Sequence, residues 1–117
     1  MEHLKTIERK LAEACFLVKE LKFEDGWNEM SKEKIKTLAR HYNHWLDEFE
    51  KFALMPVDNR PNRIDLQFVA LGGARGVLCA LISIDKDNEK FYEDKLKVVK
   101  ELEIEVGKCL NRYYHCI

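Results

Sequence analysis

Apolar side chains return every third or fourth residue through three long segments of this chain, and only one secondary structure has that period. Between residues 2 and 23 they fall at Leu4, Ile7, Leu11, Ala14 with Cys15, Val18 and Leu21. Between 32 and 54 they fall at Ile35, Leu38, Tyr42, Trp45, Phe49 and Phe52, and between 89 and 115 at Tyr92, Leu96, Val99, Leu102, Val106, Leu110 and Tyr113. Each set follows one face of a helix, with Lys and Glu on the opposite face. The interruptions carry helix punctuation. In "FEDGWNEM", Gly26 suits a helix stop, and Ser31 just beyond suits the N-cap of the next helix. In "MPVDNRPN", Pro56 restricts Met55, and Pro61 can open a new helix behind Asp58 or Asn59. Asp87 or Asn88 can cap the last segment.

The remaining stretch, "IDLQFVALGGARGVLCALISI" at 64–84, is apolar on every side and has glycines at its middle. It reads as a helix of the same length as its neighbours. It also reads as a β-hairpin, with "GGARG" turning between two strand-like runs. The helix is the preferred reading, because a fourth rod completes a bundle and covers every apolar stripe, whereas a lone hairpin leaves exposed edges. The predicted fold is therefore all-α: one domain over 1–117, an antiparallel four-helix bundle with helices near 2–23, 31–54, 62–84 and 88–115. The alternative is an α+β fold with a hairpin at 64–84.

Wound as a helix, this stretch places Leu66, Ala70, Val77, Leu81 and Ile84 on one side and Ile64, Phe68, Leu71, Leu78 and Ile82 on the next. The last arc holds Asp65, Gly72, Gly76, Cys79, Ala80 and Ser83, with Arg75 at its edge. A surface helix would carry Lys and Glu there. Each glycine inside a helix costs about 1 kcal/mol relative to alanine, so some close packing should offset the three at 72, 73 and 76. Missing side chains let another helix approach backbone to backbone. Either a neighbour in the same chain fills that groove, or a second molecule does. In the latter case Asp65, Gly72, Arg75, Gly76, Ala80 and Ser83 form the contact surface. Trp27, alone in an acidic turn, is a further contact residue or else a lid on the bundle end.

Charge narrows the function classes. The chain is 35% charged with a formal net charge of −1. Residues 1–23 carry five basic and four acidic groups, 31–55 five and four, 56–88 four and four, and 89–117 six and six. No basic stripe marks a polyanion groove, so nucleic acid is not the favoured partner. Arg60 and Arg63, at the start of the third helix, form a weak anion site, since helix N-termini attract anions. They would carry the alternative reading, an accessory helical subunit of a ribonucleoprotein or nucleic-acid-processing complex.

His41, His44 and Glu48 share one side of the second helix and suggest a second alternative, a metal- or small-ligand-binding bundle. They lie off the apolar stripe, however, and no facing helix offers partner ligands, so neither metal nor cofactor is expected. Arg112 and His115 are separated by only two residues, unlike the wider spacing of the HEPN helical ribonucleases. In "VALGGARG", Val69 and Gly72 stand where phosphotransfer bundles carry their His and Lys. No residue qualifies as a nucleophile, and no catalytic residue is assigned.

Cys15, Cys79, Cys109 and Cys116 form no C-x-x-C pair and read as thiols. A start charged from Glu2 onward argues against a secretory leader, and Arg75 with three glycines argues against a bilayer span. The expectation is a small cytoplasmic protein, of regulatory, adaptor or inhibitor type, that acts by binding another protein or a second copy of itself.

Overall fold

The structure, a computed structural model, describes residues 2–27, 31–53 and 62–116, with side chains over 5–27, 31–52 and 64–115. Four α-helices follow one another: α1 (Glu2–Leu21), α2 (Glu33–Ala53), α3 (Asn62–Ile84) and α4 (Glu89–Cys116). A single 3-10 turn, Lys86–Asn88, joins the last two. The stretch 64–84 is helical throughout, so the hairpin alternative does not occur.

α1 and α3 each pack against both α2 and α4 but not against each other, which sets the four rods in a square array. Cross-links give their sense. Along α3 and α4, Asp65 meets Tyr114, Arg75 meets Glu103 and Asp85 meets Tyr92, so one helix climbs as the other descends. Gln67 meets Phe49 and Gly73 meets Trp45 in the same opposed order along α2. The bundle measures 50 × 20 × 19 Å.

The core runs along the axis through Ile7, Leu11 and Val18 of α1, Tyr42, Leu46 and Phe49 of α2, Leu71, Ala74 and Leu78 of α3, and Val99 and Val106 of α4. Trp45 and Phe52 do not join it directly. α2 is turned so that Ala39 and Leu46 point inward and Trp45 packs at the flank facing α3. On α3, Leu66 and Ile84 are exposed (46% and 40%), while Gln67 is fully buried. The Gln67 amide donates to the Phe49 carbonyl at 3.4 Å, and its own oxygen has no partner.

α1 stops at Leu21, before Gly26, because other side chains claim its end. The Leu21 carbonyl accepts from the Tyr42 hydroxyl (3.1 Å) and from the Lys95 ammonium (2.8 Å). Asn43 then clamps Phe23 on both sides, accepting from its N–H at 2.8 Å and donating to its carbonyl at 2.9 Å. These groups satisfy a helix terminus that no glycine cap serves. Gly26 instead takes φ 75° in a separate turn closed by the Trp27 N–H on the Glu24 carbonyl at 2.9 Å. The first acceptor of α2 is the Lys32 carbonyl, so the cap falls on Lys32 and the predicted cap residue, Ser31, lies one residue outside it.

Burial holds the Tyr42 and Tyr92 hydroxyls protonated well above their ordinary value of 10.0, and for Tyr92 the bond it donates to Asp85 adds to the effect. The unfolded chain ionises these tyrosines near pH 10 while the folded chain does not, so unfolding releases protons. Their contribution to stability is therefore full below pH 10 and lost as pH rises beyond it. Urea melts at stepped pH should show stability falling above pH 10, with a shallower fall in Tyr92→Phe than in the parent chain.

Candidate protein-docking face

α3 is apolar on all sides, yet only its neighbours α2 and α4 cover it. Its core edge (Ile64, Gln67, Leu71, Ala74, Leu78, Leu81) points into the bundle. The opposite ridge carries Asp65, Val69, Gly72, Gly76, Ala80 and Ser83 in order along the helix, with Cys79 beside it. Val69 is 56% exposed. A β-carbon built on Gly72 or Gly76 meets no atom within 4 Å, so no helix of this chain fills the groove at those positions.

Gly73 behaves differently. A β-carbon there would lie closer than 3.0 Å to the Trp45 indole, so this glycine is what lets α2 approach. The expectation that close packing offsets the glycines holds within the chain for Gly73 alone.

The two charges on this part of α3 are turned aside. Arg75 donates from Nε to Glu103 Oε1 at 2.7 Å, and Glu103 is largely shielded in the α3–α4 groove. Asp65 accepts from the Tyr114 hydroxyl at 2.9 Å. Both pairings hold the charges toward α4 and leave the ridge between them uncharged. Arg75, about half exposed, thus has its carboxylate partner within the same chain. Beyond Arg75, a shallow apolar depression runs between α3 and α4, lined by Phe68, Ile104 and Gly107. Phe68 and Ile104 are 37% and 59% exposed.

The chain matches no family model, no curated protein and no solved structure. Its function must be read from the surface itself.

The other predicted positions do not join this surface. Trp27 stacks on Phe23 with ring centroids 4.6 Å apart and lies near Phe91 and Tyr92, so it closes the end of the bundle. Its outer side borders a cleft of about 340 Å³ between the 23–27 segment and α2. Lys95 sits under the same aromatic group, 5.2 Å from the Phe23 ring centre and 4.8 Å from that of Phe91. Its desolvation lowers its pKa. Arg60 and the Arg63 side chain lie outside the described residues.

His41 and His44 are exposed, and His44 Nε2 is 3.9 Å from Glu48 Oε1. Among the described residues no three His, Cys, Asp or Glu side chains gather as a metal site. Cys15 and Cys109 are buried free thiols whose pKa burial raises; Cys79 is free and exposed. The span Ile64–Ile84 is long and apolar enough to cross a membrane, and 33% of it is buried inside the bundle.

Sequence spacing does not single out Val69, Phe68 or Ile104 for the surface. Their exposure depends on how far α3 and α4 are rotated, and Gly73 against Trp45 fixes that rotation for α3.

The two classes of glycine have opposite expected responses. In dilute protein, Gly72→Ala and Gly76→Ala should each raise stability by about 0.5–1 kcal/mol, because the new methyl meets only solvent and helix propensity improves. Gly73→Ala should lower it by about 1–3 kcal/mol through overpacking against Trp45. Thermal unfolding of the three variants at low micromolar concentration checks both signs.

Proposed function

We propose that this protein is a small cytoplasmic binding module that works by docking the outward ridge of α3 onto a protein surface. One observation carries the reading. A 23-residue helix presents to solvent a small-residue ridge that carries no charge between Asp65 and Ser83, with Gly72 and Gly76 open. Those two glycines lower helix stability by about 2 kcal/mol in total, and no contact among the described residues offsets that. A partner helix or sheet seated against bare backbone would supply the missing contact. Among the described residues Cys15, Cys79 and Cys109 are free thiols, which agrees with a reducing compartment.

Asp65, Gly72, Gly76, Ala80 and Ser83 form the ridge, Val69 is its largest apolar side chain, and Arg75 helps organise its rim. Interfaces of this kind draw their energy from a few desolvated central residues. Val69, midway along the open half of α3, is the residue whose change should disrupt docking without touching the core.

Cys79 offers a handle for the test. A short photoactivatable group attached to Cys79, in a Cys116→Ser background, is introduced into cells and illuminated. Adducts are then mapped by mass spectrometry. The expected result is a protein adduct, at least several-fold depleted in Val69→Lys. No adduct, or equal adducts from parent and Val69→Lys, removes the reading.

A further inference from the structure

We infer that the partner docked on this side of the bundle presents an acidic amphipathic helix, seated lengthwise in the groove between α3 and α4. The inference rests on the docking reading above, whose ridge borders this groove, and it names the partner's chemistry.

The groove has a geometry of its own. Two shallow depressions of about 550 and 470 Å³ adjoin over a common floor of Phe68, Ile104 and Gly107. The floor is low because α4 has no side chain at Gly107, where a β-carbon would touch the Phe68 ring at 3.4 Å. Arg75 and Lys100 bound one end, and Asn111 and Tyr114 bound the other. From residue 100 to residue 114 a helix rises about 21 Å, so the groove takes a helix of about 14 residues.

Backbone chemistry selects a helix as the occupant. The walls are themselves helices, whose backbone groups bond within each rod, so they offer no edge to an extended strand. A strand laid on this apolar floor would leave its N–H and C=O groups unbonded, whereas a helix satisfies its own. Phe68 and Ile104, both exposed, then meet an apolar stripe spaced i, i+3 or i+4, i+7.

Charge selects an acidic one. Among the charged groups lining the two depressions, Arg75, Lys100 and Lys108 are basic, and Glu103 is acidic. Glu103 is already engaged, yet it takes only Nε of Arg75, and the guanidinium stays about half exposed. Lys100 is exposed and pairs with no carboxylate among the described residues. At the other end the charges are matched. Lys108 lies 3.4 Å from Glu105, which also reaches Lys10 of α1, and Asp65 accepts from Tyr114. The unmatched positive charge therefore gathers at the Arg75–Lys100 end, and the partner's carboxylates belong over it.

The test places a photo-crosslinking phenylalanine analogue at position 104 of the full chain in cells. After illumination, adducts are mapped to the residue by mass spectrometry. The expected adduct lies in a partner segment of about 14 residues with apolar side chains at helical spacing and more carboxylates than cations. A synthetic peptide of that segment should gain helicity on binding the purified chain. Its affinity, read by fluorescence anisotropy, should fall at least ~10-fold in Lys100→Glu and should also fall with added salt. Lys100 is exposed, so the circular dichroism of Lys100→Glu should match that of the parent chain.

An adduct to lipid, to nucleic acid or to a second copy of this chain overturns the inference. So does a mapped segment without an excess of carboxylates, a peptide that binds without gaining helicity, or one whose affinity is indifferent to Lys100→Glu. If Cys79 gives adducts that Val69→Lys depletes but position 104 gives none, the docking reading survives and the acidic helix is excluded. If neither position gives adducts, both fail.

Discussion

The fold and its open surface both depend on how closely the Trp45 indole lies against bare backbone at Gly73. A side chain at position 73 would collide with the ring, so α2 and α3 reach this distance only through the glycine. That contact also sets the rotation of α3. With Gly73 held toward α2, the core edge of the helix falls on Leu71, Ala74 and Leu78. Gly72 and Gly76 are then carried round to the solvent side. The close approach of Trp45 to Gly73 thus accounts for the bareness of the outer ridge.

The two ends of the account contrast physically. Around Leu21 the polar groups are matched: Tyr42, Asn43 and Lys95 take up the backbone where α1 stops, and Phe23 and Phe91 cover the ammonium of Lys95. Along α3 the two charges pair toward α4, Arg75 with Glu103 and Asp65 with Tyr114. A ridge that between Asp65 and Ser83 carries no charge, and only small side chains besides Val69, costs little to desolvate and admits close approach. Those are the properties a docking surface needs, and they are weak reasons for leaving a helix uncovered.

The helices were legible in the sequence because apolar spacing reports them directly. α3 was legible as a helix only through its company, since an all-round apolar stretch has no period of its own. For the same reason its inward edge was not legible: Leu66, Phe68 and Ile84 look like core, and Gln67 looks like surface. The structure reverses them because rotation is set by one tertiary contact, Trp45 on Gly73, with no local signature. α1 ends at Leu21, two residues before the predicted 23. Gly26 has the chemistry of a stop, but Tyr42 and Lys95, distant in sequence, take up the helix end first. The small-residue ridge could be read from composition alone. That Gly72 and Gly76 face open space while Gly73 does not could not.

The central claim is that the α3 ridge is open in the isolated chain and covered when the protein works. The alkylation rate of Cys79 measures this directly, with buried Cys15 and Cys109 as internal references. The account predicts that Cys79 in dilute, folded protein reacts at nearly the rate of a free thiol, and that it slows at least ~10-fold inside cells, where the ridge is occupied. If Cys79 is as slow as Cys15 and Cys109 in dilute protein, or equally fast in dilute protein and in cells, the claim is contradicted.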